Sequence, residues 1–139
     1  MATVIRPEIS QKNKYWISKH RHYELKHFCL QYPIWKKAIH DNRNSNYAAS
    51  NIEWLPSNNL PSDPTSELAM ENVRYLNNIK LIERVADETD KYLASYILRA
   101  VTEGFSYIHL KSRLEIPCSR DMFYDRYRRF FWLLSQVRN

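Results

Sequence analysis

The chain has 139 residues, of which 44% are hydrophobic, 26% are charged and only one is glycine. That length fits one compact domain, which can bury its own core without a metal or disulfide staple. Glycine supplies the positive-φ turns of β-hairpins and the close approaches of nucleotide-binding loops, so a β-sandwich, a P-loop and a Rossmann fingerprint are not expected. The composition predicts an all-α protein built as a helical bundle.

The charge is segregated along the chain. Residues 1–44 carry nine Lys or Arg and three acids, residues 45–104 carry five and nine, and residues 105–139 carry seven and three. Two basic ends therefore flank an acidic middle, within a net charge of +6. Segregated positive charge suits a polyanion, and nucleic acid is the commonest soluble one.

Nothing in the sequence indicates a membrane or a secreted location. Cys29 and Cys118 are too few for a disulfide framework, no apolar run reaches membrane-spanning length, and the N-terminus lacks the apolar core of a signal peptide. We expect a cytoplasmic protein with free thiols, no membrane partner and no cofactor.

The N-terminal part divides into a polar arm over residues 1–14 and a basic, aromatic helical segment with a loop over residues 15–62. Ser18 is a good N-cap for a helix over 18–31. Pro33 fits the first turn of a second helix over 33–40. The side chains expected to pack are Tyr23, Leu25, Phe28, Cys29, Ile34, Trp35, Ala38 and Ile39. Three roles stay open for this segment: docking to host RNA polymerase, homodimerisation, and packing onto the later helices.

Residues 41–64 are rich in Asn, Ser and Pro, which predicts a linker or long loop. A helical domain is expected over 63–139, starting at Asp63-Pro64. Its first part, 65–103, is one long helix or two helices joined near residue 88. The apolar residues that follow helical spacing there are Ala69, Val73, Leu76, Ile79 and Ile82.

The C-terminus carries the most informative pattern, over about residues 92–138. One helix ends at Gly104, where a left-handed residue is wanted, and Ser106 caps a short helix over 106–114. An apolar turn containing Pro117 leads to a long basic helix over 120–137. This order of elements is typical of a helix-turn-helix.

The last helix is predicted to have two faces. Phe123, Tyr127, Phe130, Phe131 and Leu134 recur at spacings that place them together on the scaffold. The opposite face is rich in Arg, Tyr and Asp, side chains that can reach base edges and phosphates. The DNA-contacting residues predicted for both helices and the turn are Ser106, Tyr107, Lys111, Arg113, Ser119, Arg120, Tyr124, Arg128 and Arg129.

The stretch Val101-Thr102-Glu103-Gly104-Phe105-Ser106-Tyr107, with Leu110 and Leu114-Glu115-Ile116-Pro117, resembles region 4 of bacterial sigma factors. There too a helix ends at glycine, a Ser-capped short helix follows, and an Ile-Pro turn leads to the recognition helix. The chain departs from that pattern in a more aromatic recognition helix and a longer turn.

The wider sequence resembles small phage and prophage proteins of the RinA/ArpU type, which are late-gene transcriptional regulators of Gram-positive hosts. The similar motifs are Tyr15-Trp16-Ile17-Ser18-Lys19-His20-Arg21, Leu25 to Tyr32-Pro33 with Trp35-Lys36, Asp63-Pro64-Thr65, the sigma-like turn, and Phe123-Tyr124-Asp125-Arg126-Tyr127-Arg128-Arg129-Phe130-Phe131. The resemblance implies binding to double-stranded DNA near a promoter in a bacterial host cell, without catalysis.

Metal binding and nuclease activity have weaker support in the sequence. His20, His22, His27, Cys29 and His40 form one loose cluster, whereas a structural zinc site has paired ligands in two clusters, so no metal is expected. His40-Asp41-Asn42 with Asn51-Ile52-Glu53-Trp54-Leu55 faintly resembles the end of an HNH nuclease motif, but the preceding residues are predicted to be helical. The small subunit of a packaging terminase and a phage-coded inhibitor of host defence remain alternatives.

Overall fold

The computed structural model describes residues 11–50 and 64–139. These residues form six α-helices and contain no strand. The helices are α1 (Lys19–Leu30), α2 (Tyr32–Ser50), α3 (Pro64–Thr89), α4 (Ala94–Glu103), α5 (Tyr107–Leu114) and α6 (Arg120–Val137). The predicted all-α class is confirmed for this part of the chain. Most of the predicted N-terminal arm, residues 1–10, lies outside the described residues.

The N-terminal segment packs onto the later helices, with α1 against α4 and α6 and α2 against α3. The Ser18 side chain caps α1 by accepting a hydrogen bond from the backbone N–H of Arg21 at 3.3 Å. Leu25, Phe28 and Cys29 are buried as expected, and so are Trp35 and Ile39 of α2. The expectation was wrong for two side chains, because Tyr23 and Ile34 are exposed.

Helix α2 continues ten residues beyond its predicted end, so the loop predicted from residue 41 is wrong for residues 41–50. Asn and Ser disfavour a helix interior only weakly, and no Gly or Pro interrupts this stretch. Contact with α3 supports the extension: the Asn42 side-chain amide donates to the Asn72 side-chain oxygen at 2.9 Å. The remainder of the predicted linker, residues 51–63, lies outside the described residues.

A break separates α3 from α4 near residue 88, so the second of the two predicted alternatives, two helices, is the correct one. Helix α3 ends at Thr89 and α4 begins at Ala94. The Asp90 carboxylate accepts hydrogen bonds from the backbone N–H groups of Tyr92 at 2.9 Å and Leu93 at 3.2 Å. These bonds hold the turn that precedes α4, whose N-cap Leu93 has no side-chain cap of its own.

The apolar side chains of α3 do not share one face. Ile79 and Ile82 are buried, but Val73 and Leu76 are exposed, and so is Ala69. The spacing predicted the helix itself, which α3 confirms, but only part of it faces the core. From Val73 to Ile82 the apolar residues recur every third position, and each such step turns the line about 60° around a helix of 3.6 residues per turn. Over nine residues the line crosses from the solvent side to the core side.

The core lies where α6 meets α1, α3 and α4. The face of α6 predicted to be apolar is the buried one, comprising Phe123, Tyr127, Phe130, Phe131 and Leu134. Tilted and edge-to-face ring contacts join several of these side chains, such as Tyr127 with Phe131 at 4.9 Å between centroids. The buried His22 of α1 makes an edge contact with Phe131 at 4.8 Å. These contacts fix the C-terminal helix on the bundle.

Candidate nucleic-acid interface

The turn between α4 and α5 has the predicted geometry. Gly104 adopts a left-handed conformation with φ of 75°, and its N–H donates to the Ala100 carbonyl at 3.0 Å. The Ser106 hydroxyl then caps α5 by accepting from the backbone N–H of His109 at 3.3 Å. Three residues, 104–106, therefore separate the end of α4 from the start of α5, and the chain changes direction sharply at Gly104.

The turn between α5 and α6 contains a feature that sequence reasoning missed. Glu115 has a φ of 53°, the one left-handed non-glycine residue among those described. This conformation lets the N–H of Ile116 donate back to the Leu110 carbonyl at 3.2 Å. The sequence offers only a weak signal for it: no glycine lies between Leu114 and Arg120, so a left-handed residue in this turn must carry a side chain.

Two hydrogen bonds complete this turn. The Tyr107 hydroxyl donates to the Cys118 carbonyl at 2.7 Å, which ties the start of α5 to the end of the turn. The Ser119 hydroxyl caps α6 by accepting from the backbone N–H of Met122 at 3.2 Å. Both bonds fix the position from which α6 begins.

An apolar cluster holds α5, the turn and α6 together. Leu110, Ile116 and Phe123 are fully buried, one from each of the three parts. The Tyr107 ring lies 5.8 Å from the Phe123 ring, between centroids. The N-terminal half of α6 is thus fixed relative to α5 by side chains on its inner side.

Three of the five basic residues predicted to contact DNA are exposed on the outer side of these elements. Lys111 and Arg113 of α5 and Arg120 at the start of α6 are exposed. The Arg120 guanidinium lies over the Tyr124 ring, 5.6 Å from its centroid. A stacked Arg–Tyr pair is restrained in position, yet its guanidinium N–H groups can still donate to a ligand.

Not all of the residues predicted to contact DNA are fully exposed. Tyr124, Arg128 and Arg129 are half-buried. Tyr124 contacts Phe123 at 5.1 Å between ring centroids, so it borders the apolar face. Among the described residues, the Nε atoms of Arg128 and Arg129 are buried and have no hydrogen-bond partner. Residues 120, 124 and 128 recur every fourth position, and each such step turns the line about 40°, so the line lies oblique to the outer face.

Two other side chains share the outer side of α5 and α6 and were not singled out from the sequence. Ile108 is 57% exposed and Met122 is 42% exposed. Apolar groups of this kind can contact a thymine methyl or a sugar. Helical spacing alone could have identified Ile108, since it lies one turn before the exposed Lys111.

One arginine of α6 serves the fold instead of the outer face. Arg126 donates to Asp90 at 3.0 Å and to Asp125 at 2.7 Å. The hydrogen bond to Asp90, followed by the charges of the two carboxylates, raises the pKa of Arg126 despite some burial. The pair joins α6 to the turn between α3 and α4, and no local pattern in the sequence predicts it.

The histidine and cysteine side chains show no arrangement for metal binding. Within residues 11–50 and 64–139, no group of three His, Cys, Asp or Glu is placed to hold a metal ion. Burial, and then the charge of Lys26, lowers the pKa of His22 to about 4. Burial raises the pKa of the Cys29 thiol. Of the HNH-like stretch, residues 51–55 lie outside the described part of the chain.

Comparison of the chain with protein-family models, curated proteins and solved structures finds no significant match. No helix in residues 11–50 and 64–139 has the length and apolar character needed to cross a lipid bilayer. The evidence for a nucleic-acid interface therefore comes from the geometry and charge of α5, α6 and the turn between them.

Proposed function

We propose that the protein binds double-stranded DNA sequence-specifically, with α5 and α6 acting as a sigma-region-4-like helix-turn-helix. The observation that carries the proposal is the fixed start of α6, where Arg120 is exposed while Phe123 is fully buried. A helix anchored on its inner side and basic on its outer side can enter the major groove. Together with the resemblance to RinA/ArpU proteins, this favours regulation of phage late genes.

The side chains proposed to contact DNA divide by position into one group that reads base edges and one that binds phosphates. The N-terminal half of α6 is the part that reaches base edges in helix-turn-helix proteins, and it contains Arg120, Tyr124 and Arg128. Lys111 and Arg113 on α5, with Arg129 at the rim, are suited to phosphates. Asp121 and Asp125 lie among the arginines, and carboxylates accept from cytosine N4 but repel phosphates. This mixture of charges on α6 favours binding at one position on a matching DNA sequence over non-specific attraction to the phosphate backbone.

The capping serines keep a donor for DNA. A serine hydroxyl has one O–H donor and two lone pairs. Ser106 and Ser119 use a lone pair to accept from the backbone, so each O–H can still donate to a phosphate oxygen. The Tyr107 hydroxyl already donates its proton to the Cys118 carbonyl. It can then only accept a hydrogen bond, and a phosphate has no proton to donate to it. Tyr107 therefore acts as a positioning residue for the turn.

The test is to select bound fragments from a phage genome library and to footprint the protein on the recovered site. Arg120→Ala should cost about 1–3 kcal/mol on that site and narrow its advantage over random DNA. Lys111→Ala or Arg113→Ala should weaken binding to all sequences alike and reduce the slope of log K against log salt by about one. Lys80→Ala, which removes an exposed charge from α3, is the matched control and should change neither quantity.

Several outcomes would contradict the proposal. If Arg120, Tyr124 and Arg128 can all be replaced by alanine with site preference intact, α6 is not the reading helix. Binding that does not weaken with salt would exclude phosphate contacts as the source of affinity. The position of the recovered site also separates roles: a promoter-proximal site favours regulation, a packaging site favours a terminase subunit, and no DNA site favours a protein target.

A further inference from the structure

The N-terminal half of α3 exposes a line of apolar side chains. Met70 is 63% exposed, Val73 57% and Leu76 37%. The neighbouring Ala69 is exposed too. Val73 lies opposite the buried Ile82, since nine residues amount to two and a half helical turns, and Met70 and Leu76 lie about 60° to either side of Val73. Apolar side chains grouped on one exposed face mark an interaction site.

The shape of this face suits another helix. A groove of about 360 Å³ lies along it, lined by Ser66, Ala69, Met70, Val73 and Arg74. The first four are related as i, i+3, i+4 and i+7, which is the set of four residues that forms a hole for a knob side chain in helix packing. The groove is therefore a packing hole that no described residue of another helix lines.

The charges beside the groove are self-complementary. Glu67 and Arg74 are both exposed and lie seven residues apart, on the same flank of the apolar line. Neither forms an ion pair with another described residue, and they are too far apart along the helix to pair with each other. A two-fold axis between two antiparallel copies of α3 places the same flank of each helix side by side. Glu67 at one end of the hole then faces Arg74 of the second copy at the other end.

We propose that this face of α3 binds the same face of a second copy of the protein, with the two helices antiparallel and centred between residues 71 and 72. In that register Val73 of the second copy enters the hole around Met70. Arg74 lies beside Glu67 of the second copy, and the reverse pair forms by symmetry. The contact is isologous and closes at two copies. Parallel helices would instead bring opposite flanks together and leave this charge pair unmatched.

The first experiment measures the mass of the full chain by sedimentation equilibrium over a range of concentrations. The wild type should show a reversible monomer–dimer equilibrium. Val73→Glu should be monomeric with unchanged helical circular dichroism, because position 73 is exposed in the monomer. Glu71→Lys changes a charge on the same stretch of α3, about 160° around the helix from Val73, and should leave the equilibrium unchanged.

The second experiment exchanges the two charges. Arg74→Glu and Glu67→Arg should each weaken the dimer by about tenfold, since each creates two like-charge contacts in place of two weak ion pairs. The double variant, E67R with R74E, should recover most of the wild-type dimer affinity. Recovery can arise only between copies, because the two positions do not contact each other within one helix.

The results distinguish this dimer from a monomer and from a dimer formed through another surface, and they do so independently of DNA binding. A wild type that stays monomeric would overturn it and leave residues 51–63 of the same chain as the next candidate occupant. A dimer that survives Val73→Glu would place the contact elsewhere, and a charge exchange without recovery would overturn the antiparallel register. Arg120→Ala should not change the dimer, so failure of the DNA-binding proposal leaves this result independent.

Discussion

A residue in the left-handed conformation precedes α5 and another follows it. Gly104 adopts this conformation without strain, whereas Glu115 adopts it at a cost in unfolding free energy. Gly104 has φ of 75°, and a Cβ added there would meet only Leu30 Cδ2 at 4.0 Å. The cost of Gly104→Ala is therefore conformational and not steric, about 1 kcal/mol of unfolding free energy. Urea denaturation should show this loss, with Gly104→Asn losing less because Asn tolerates the conformation. Equal stability of Gly104→Ala and wild type would contradict the assigned turn.

Glu115 is the converse case, because an ordinary side chain occupies a left-handed position with φ of 53°. Glu115→Gly should remove that strain and stabilise the protein by up to about 1 kcal/mol. The matched control is Glu115→Ala, which removes the carboxylate but keeps the Cβ and should not stabilise. If Glu115→Ala raised the melting temperature as much as Glu115→Gly, the carboxylate and not the backbone would be the source of the cost.

The buried His22 predicts an acid-sensitive core. Burial, and next the charge of Lys26, lowers its pKa from 6.5 to about 4, so the folded state opposes protonation. Its contribution to stability is complete above pH 6.5 and is lost as the pH falls from 6.5 toward 4. His22→Phe keeps a ring against Phe131 and should flatten the dependence of unfolding free energy on pH in this window. An unchanged pH profile in that variant would show that other groups cause the loss.

Among the elements, α6 depends on a link to the turn before α4. Asp90 binds Arg126 and also accepts from two backbone N–H groups of its own turn. Asp90→Asn keeps an oxygen for the backbone but loses the charge, whereas Asp90→Ala loses both. We expect a thermal-denaturation double-mutant cycle of Asp90→Asn with Arg126→Met to give a coupling of about 1 kcal/mol. Additive effects would mean that the ion pair adds nothing to stability.

The elements also show what the sequence could predict and why. Caps and turn residues act locally, so Ser18, Ser106 and Gly104 located helix ends correctly from neighbouring residues alone. Helix α2 is longer than its sequence predicts, because contact with α3 outweighs the weak helix propensity of the Asn and Ser residues after position 40. The Arg126–Asp90 pair joins positions 36 residues apart. Pairings of that kind leave no periodic pattern.

The candidate site shows the same division. The buried face of α6 was predicted in full, since large apolar residues at helical spacing have one favourable place in a bundle. The outer face was predicted only in part. Arg120 is exposed, but Tyr124 and Arg128 are half-buried, because burial at the edge of a face depends on which neighbours cover it. Their roles in binding DNA stay predictions.

For the whole molecule, the two proposed surfaces lie on different elements, α3 and α6, and can act together. A two-fold dimer would present two copies of α6, so it should bind two inverted copies of the recovered site more tightly than one, through a raised effective concentration. The advantage of two sites over one should rise and fall as the distance between them changes, with a period of about 10.5 base pairs. Both recognition helices must meet the same side of the duplex for the dimer to bind both sites.

Val73→Glu tests this coupling without touching either half of the DNA interface. Band-shift titrations should show single-site affinity unchanged from wild type, whereas the advantage of the two-site fragment falls by at least about tenfold. Arg120→Ala is the complementary control, since it should weaken both fragments while the dimer persists. If Val73→Glu also lost single-site affinity, the α3 face would support the fold of α6. If the two-site advantage survived in Val73→Glu, the copies would associate through DNA or through another surface.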